Sequence, residues 1–122
     1  MKIAVCGVNN SEVFKLLKKL ESHYNVKYVS ATGNIYESAK VTYDYDDVDN
    51  VVFEGCMLDY AVNEKYMHLL DEQIILCAFD NLDVVYLCTS GMTEEEICRY
   101  HQFDEFYSGK VVDVINSDEF SI

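Results

Sequence analysis

The stretch that most constrains the fold is residues 1–20, MKIAVCGVNNSEVFKLLKKL. Lys2 to Cys6 is a short apolar run of the kind a parallel strand needs, because such a strand is covered on both faces. Gly7 ends the run. Asn9, Asn10 and Ser11 are turn and N-cap residues, and from Glu12 the apolar positions Val13, Leu16, Leu17 and Leu20 recur at helical spacing. A strand feeding a helix through a glycine turn places free N–H groups and a positive dipole end at the edge of a sheet, where an anion can be held.

The remaining chain repeats this alternation. Val26–Ser30, Asn50–Phe53, Leu82–Cys88 and Val111–Ile115 read as strands. Helical pattern falls on 35–43 (weakly), on 58–68 and 71–79, and after Thr93, where Thr93 and Glu96 have capping-box spacing. Five strands alternating with helices predict a single three-layer α/β domain over 1–122, with a mainly parallel five-stranded sheet and right-handed crossovers. Residues 116–122 read as a loose polar tail. Ligands of such sheets bind outside the carboxyl ends of the strands, which here are Gly7–Ser11, Glu54–Asp59 and Thr89–Gly91.

Charge narrows the partners. Nine basic against 22 acidic residues give a formal net charge of −13, which argues against direct nucleic-acid binding. No run approaches the length of a membrane span or a cleavable leader. The five cysteines contain no CxxC pair and mostly sit in apolar runs, as buried reduced thiols of a cytoplasmic protein would. The most acidic stretch, Asp44–Asn50, fails the EF-hand spacing because Val48 and Asp49 fall at its fifth and sixth positions. No cofactor and no metal site are expected. Cys56 follows a strand and a glycine, but no histidine lies at supporting local spacing, and His23, His68 and His101 are isolated.

Three segments together resemble the small P-loop nucleoside and nucleotide kinases, especially the short forms of viruses and bacteria. The opening KIAVCGVNNSEVFKLLKKL is similar to their strand, phosphate loop and helix. VVFEGCMLDYAV is similar to the strand that ends in an acidic residue, arginine and serine, with an aspartate further on; Glu54, Cys56 and Asp59 would stand for the acid, the serine and the aspartate. LDVVYLCTSGMTEEEICRYHQFDEFY resembles the strand and helix that enter an arginine-bearing lid, with Arg99 as the arginine, and VVDVINSDE resembles the last strand.

The chemistry of that family is depleted. Counted from Gly7 as G-x-x-x-x-G-K-[ST], the second glycine falls on Glu12, the lysine on Val13 and the hydroxyl residue on Phe14. A charged hydrogen bond contributes about 1.5–3 kcal/mol, so loss of the lysine alone weakens phosphate binding roughly ten- to a hundredfold. Glu12 adds a carboxylate where phosphates would lie, and Lys15 and Lys18 should point away from the loop. The substrate-side arginine is replaced by Gly55, leaving Arg99 as the one arginine of the chain.

The expected function is therefore that of a non-catalytic kinase-like protein, with no catalytic residues assigned. It would bind a protein partner with a basic surface through an acidic, tyrosine-bearing surface made by Tyr43, Asp44, Tyr45, Asp46, Asp47 and Asp49, as a small viral or mobile-element regulator or inhibitor would. Tyr100 and Tyr107 also lie in acidic stretches. The alternative is a nucleotide-binding protein or weak kinase using Gly7, Asn9, Asn10, Ser11, Glu54, Asp59 and Arg99, with Glu54 as metal ligand and Arg99 as lid cation. The discriminating feature is the loop after Gly7: open, with outward N–H groups, or filled and helical.

Overall fold

A computed structural model describes residues 1–26, 28–30, 44, 50–54, 82–107 and 110–121. Strand β1 (Lys2–Gly7) leads into helix α1 (Asn10–Tyr24), followed by β2 (Tyr28–Ser30), β3 (Val51–Glu54), β4 (Val84–Cys88), helix α2 (Glu94–Tyr107) and β5 (Val111–Val114). The helices expected at 35–43, 58–68 and 71–79 lie outside the described residues.

All five strands pair parallel in the order β2-β3-β1-β4-β5. The chain steps outward from β1 to β2 on one side, returns for β3, and then crosses β1 to build β4 and β5 on the other. With right-handed crossovers, these opposite directions of travel put α1 and α2 on opposite faces of the sheet. Strand parity agrees with two covered faces. Ile3, Val5, Val52, Cys88 and Val114 pack with Val13, Leu16, Leu17 and Leu20 of α1. Residues of the other parity, Ala4, Cys6, Phe53, Val85 and Leu87, are buried as well.

Local signals set the helix ends. Asn9 is the N-cap of α1, its side-chain oxygen accepting from Glu12 N–H at 3.4 Å. Asn25 closes the helix in the left-handed conformation at φ 54°. Ahead of α2 the capping box is complete: Glu96 N–H donates to Thr93 Oγ1 (3.2 Å) and Thr93 N–H to Glu96 Oε1 (3.4 Å). Helix α2 is tied to the sheet by buried Tyr100 and by His101 Nε2, 2.7 Å from Asp113 Oδ1.

Three expectations are corrected. Residues 116–121 of the tail are docked: Ser117 is 1% exposed, and Phe120 meets Tyr86 edge-on with ring centroids 4.9 Å apart. Cys98 is exposed, whereas Cys6 and Cys88 are buried as expected. Tyr100 is buried and contributes nothing to an exposed tyrosine surface. Both Cys98 and Tyr100 lie on α2, and they take opposite sides of it because they are two residues apart.

Candidate functional site

Because β1 lies between β3 and β4, the carboxyl ends of these strands meet where the direction of chain travel reverses, the place where open parallel sheets hold ligands. The residues there are Gly7, Glu54 and Cys88. Gly7 is in register with Cys88, and Glu54 with Val5 of β1 and Ser30 of β2.

Gly7 permits the close approach of three elements. A Cβ at this position would lie 2.9 Å from the Cys88 carbonyl oxygen, 3.0 Å from Cys88 Cβ and 3.0 Å from Val13 Cγ2. Its φ of +156° adds a backbone conformation that side-chain-bearing residues rarely adopt. Only Val8 and Asn9 separate the strand from the first helical residue, Asn10. The sequence reading places Asn10 and Ser11 in the turn; the structure places them in the first turn of α1. The connection is thus only two residues long, with Asn9 extended and the helix starting directly after it. It is steadied from the next strand end, where Asn9 Nδ2 donates to Ser90 Oγ at 3.2 Å.

The helix end keeps part of its binding capacity. Asn10 and Ser11 are exposed, and their backbone N–H groups have no acceptor among the described residues. The cationic half of a phosphate site is different. Val13, at the lysine position, is 7% exposed and belongs to the core. Phe14, at the hydroxyl position, is half exposed and lies 5.3 Å beneath Lys18 Nζ.

Glu12 behaves differently from expectation. Its carboxylate is turned from the loop to the chain's tail: Ser117 N–H donates to Glu12 Oε2 at 3.0 Å, and Ser117 Oγ–H donates to the Glu12 carbonyl at 2.8 Å. The Ser117 backbone N–H, then its hydroxyl and the Lys15 cation, hold the carboxyl below the usual carboxylate range. Lys15 bridges Glu12 (3.5 Å) and Asp118 (3.4 Å), and these carboxylates, Asp118 first, hold its ammonium above the usual lysine value. Lys19 Nζ donates to the carbonyls of Ser117, Asp118 and Phe120 at 2.5, 3.1 and 3.3 Å. Lys18 pairs with Glu21 at 3.4 Å, one turn further along the helix. The Cys88 thiol, beside Ser117, is pushed up to about 11 by burial and is a poor nucleophile.

Glu54 is half-buried at the end of β3. Arg99 lies on α2 and pairs with Glu95 at 2.7 Å, with both side chains exposed. Asp59, Tyr43, Tyr45, Asp46, Asp47 and Asp49 lie outside the described residues, and Asp44 is exposed. Among the described residues no group of three metal-ligating side chains occurs, and no helix is long and apolar enough to cross a membrane. Two open grooves flank the C-terminal half of α1 around Lys18 and Ser22, at the far end of the helix from Gly7. The tail contacts of Glu12, Lys15 and Lys19 were missed in the sequence, and the Asn9–Glu12 spacing, which is that of a capping box, points Glu12 back to its own helix end instead.

No protein-family model matches the chain, and no curated protein matches it. Two solved structures are similar. One is the YorR protein of Bacillus subtilis in complex with phosphorylated GDP, at TM-score 0.63 and 12% identity, covering 99% of this chain and 88% of that one. The other is shikimate kinase of Aquifex aeolicus, at TM-score 0.50 and 13% identity, covering 98% and 88%. At such identities the likeness defines the fold: this is an α/β protein with the architecture of P-loop-type kinases.

Proposed function

We propose that this protein keeps the kinase fold without phosphoryl transfer and acts by binding a protein partner of basic surface through its acidic side chains. The observation that carries the first half is Val13, a buried core residue where the fold's phosphate-binding lysine would stand. Phosphoryl transfer depends on cations placed around the transferring group. Here Lys15, Lys18 and Lys19 are engaged along α1, and the one arginine is paired on α2. The second half rests on the net charge of −13 and the acidic run 44–49. Such a partner includes a protein whose basic groove normally takes nucleic acid, so the chain would act as a regulator or inhibitor.

The test is calorimetry with Mg·ATP and Mg·GTP, followed by capture of partners at low and high salt. The reading expects no saturable nucleotide heat, and captured partners that are lost on reversing the charges of Asp44, Asp46, Asp47 and Asp49. Partners that survive both salt and charge reversal would refute the acidic-surface half.

A second reading, nucleotide binding without transfer, is favoured by the open N–H groups of Asn10 and Ser11 and by the phosphorylated GDP held by YorR. Asn10→Pro separates the two readings. Proline suits the first helical position yet removes one backbone donor, so guanine-nucleotide binding that Asn10→Pro abolishes would establish the second.

A further inference from the structure

We infer that the C-terminal strap, residues 116–121, and the first turn of α1 form a two-state latch in which Glu12 is the shared partner. Glu12 occupies the third position of a helix whose N-cap is Asn9. A glutamate there ordinarily reaches back to the N-cap N–H and completes a capping box, as Glu96 does for Thr93 in this same molecule. Glu12 does not: its Oε2 accepts from Ser117 N–H instead, and Asn9 N–H has no acceptor among the described residues. The carboxylate cannot face both directions, so the strap takes the carboxylate that would otherwise close the helix end.

The strap is built to be held by α1. Glu12, Lys15 and Lys19 lie at i, i+3 and i+7 on one helix face, and all three contact it. An internal turn shapes it, with Asp118 N–H donating to Asn116 Oδ1 at 2.9 Å and Glu119 N–H to the Asn116 carbonyl at 3.2 Å. Phe120 anchors its far end on Tyr86. With the strap docked, the N–H groups of Asn9, Asn10 and Ser11 have no acceptor among the described residues. With the strap released, Glu12 folds back, satisfies Asn9 N–H and places its charge over the same end. Strap docking and anion access to the helix end are therefore coupled in the same direction.

The test is amide hydrogen exchange by NMR on the full chain and on Lys19→Met and Phe120→Ala, each loosening the strap without touching Glu12. Circular dichroism checks that each variant stays folded, and two variants guard against one failing to fold. The latch predicts that Ser117 N–H loses about tenfold protection while Asn9 N–H gains a comparable factor. Adding Glu12→Ala to either variant should abolish the gain at Asn9. Protection at Asn9 that is unchanged or falls with that at Ser117, or a gain that persists without Glu12, would overturn the latch. So would Ser117 protection that neither variant lowers.

Discussion

Gly7→Ala perturbs the point on which the site's geometry rests. The new methyl would meet the Cys88 carbonyl oxygen at 2.9 Å and both Cys88 Cβ and Val13 Cγ2 at 3.0 Å. None of the three can retreat cheaply. The carbonyl belongs to β4, paired with β1 on one side and β5 on the other, and Val13 is wedged into the core by the first turns of α1. Overpacking of this kind costs about 1–3 kcal/mol. The unusual backbone conformation at φ +156° adds about 1–3 kcal/mol for a residue with a side chain. A loss of about 2–6 kcal/mol is a large part of the roughly 5–15 kcal/mol that holds a domain together, and it lowers Tm by roughly 8 °C or more in a chain of this size. Urea unfolding followed by far-ultraviolet circular dichroism measures it directly. A Gly7→Ala protein within about 0.5 kcal/mol of the parent would show that β1, β4 and α1 do not converge as described.

Further predictions concern the same end of the sheet and the core behind it. Glu12→Gln should destabilise the protein at neutral pH. Because the folded-state pKa of Glu12 lies below its unfolded value, the difference from wild type is full above the ordinary carboxylate range and disappears as pH falls through the folded value; urea midpoints at pH 7 and pH 3 check this. Alkylation at pH 8, read by mass spectrometry on intact folded protein, should modify Cys98 well before Cys6 or Cys88, since Cys98 is exposed and the Cys88 thiol is raised to about 11. Leu16→Ala, at a fully buried position on the sheet-facing side of α1, should cost about 2–5 kcal/mol, whereas Arg99→Ala should cost under about 1 kcal/mol because its ion pair with Glu95 is exposed.

Much of the fold is legible in the residues. Ile3, Val5, Val13, Leu16, Leu17 and Leu20 announce a buried strand and an amphipathic helix, and the observed packing joins them in one cluster. Thr93 and Glu96 mark the start of α2 through a local rule, and the capping box is present. Boundaries moved by a residue or two where hydrogen bonding, not pattern, decides: α1 begins at Asn10 because Asn9 caps it. The tail was the larger miss. Asn116–Glu119 reads as polar and loose, since its partners are about 100 residues away on α1 and neither Lys19 nor Glu12 carries a local mark of that role. That Val13 stands at the position counted from Gly7 as the motif's lysine is read directly from the residues, but the destination of the Glu12 carboxylate required the three-dimensional path of the strap.

The central claim is that this kinase fold does not transfer phosphoryl groups. The direct measurement is phosphorus NMR of the protein with Mg·ATP or Mg·GTP and a panel of nucleosides, nucleoside monophosphates and shikimate as acceptors. The account predicts product at the level of the protein-free control, because the position counted from Gly7 as the motif's lysine is the buried Val13. Transfer above that control, lost on Arg99→Ala or Asn10→Pro in a protein that remains folded, would contradict it.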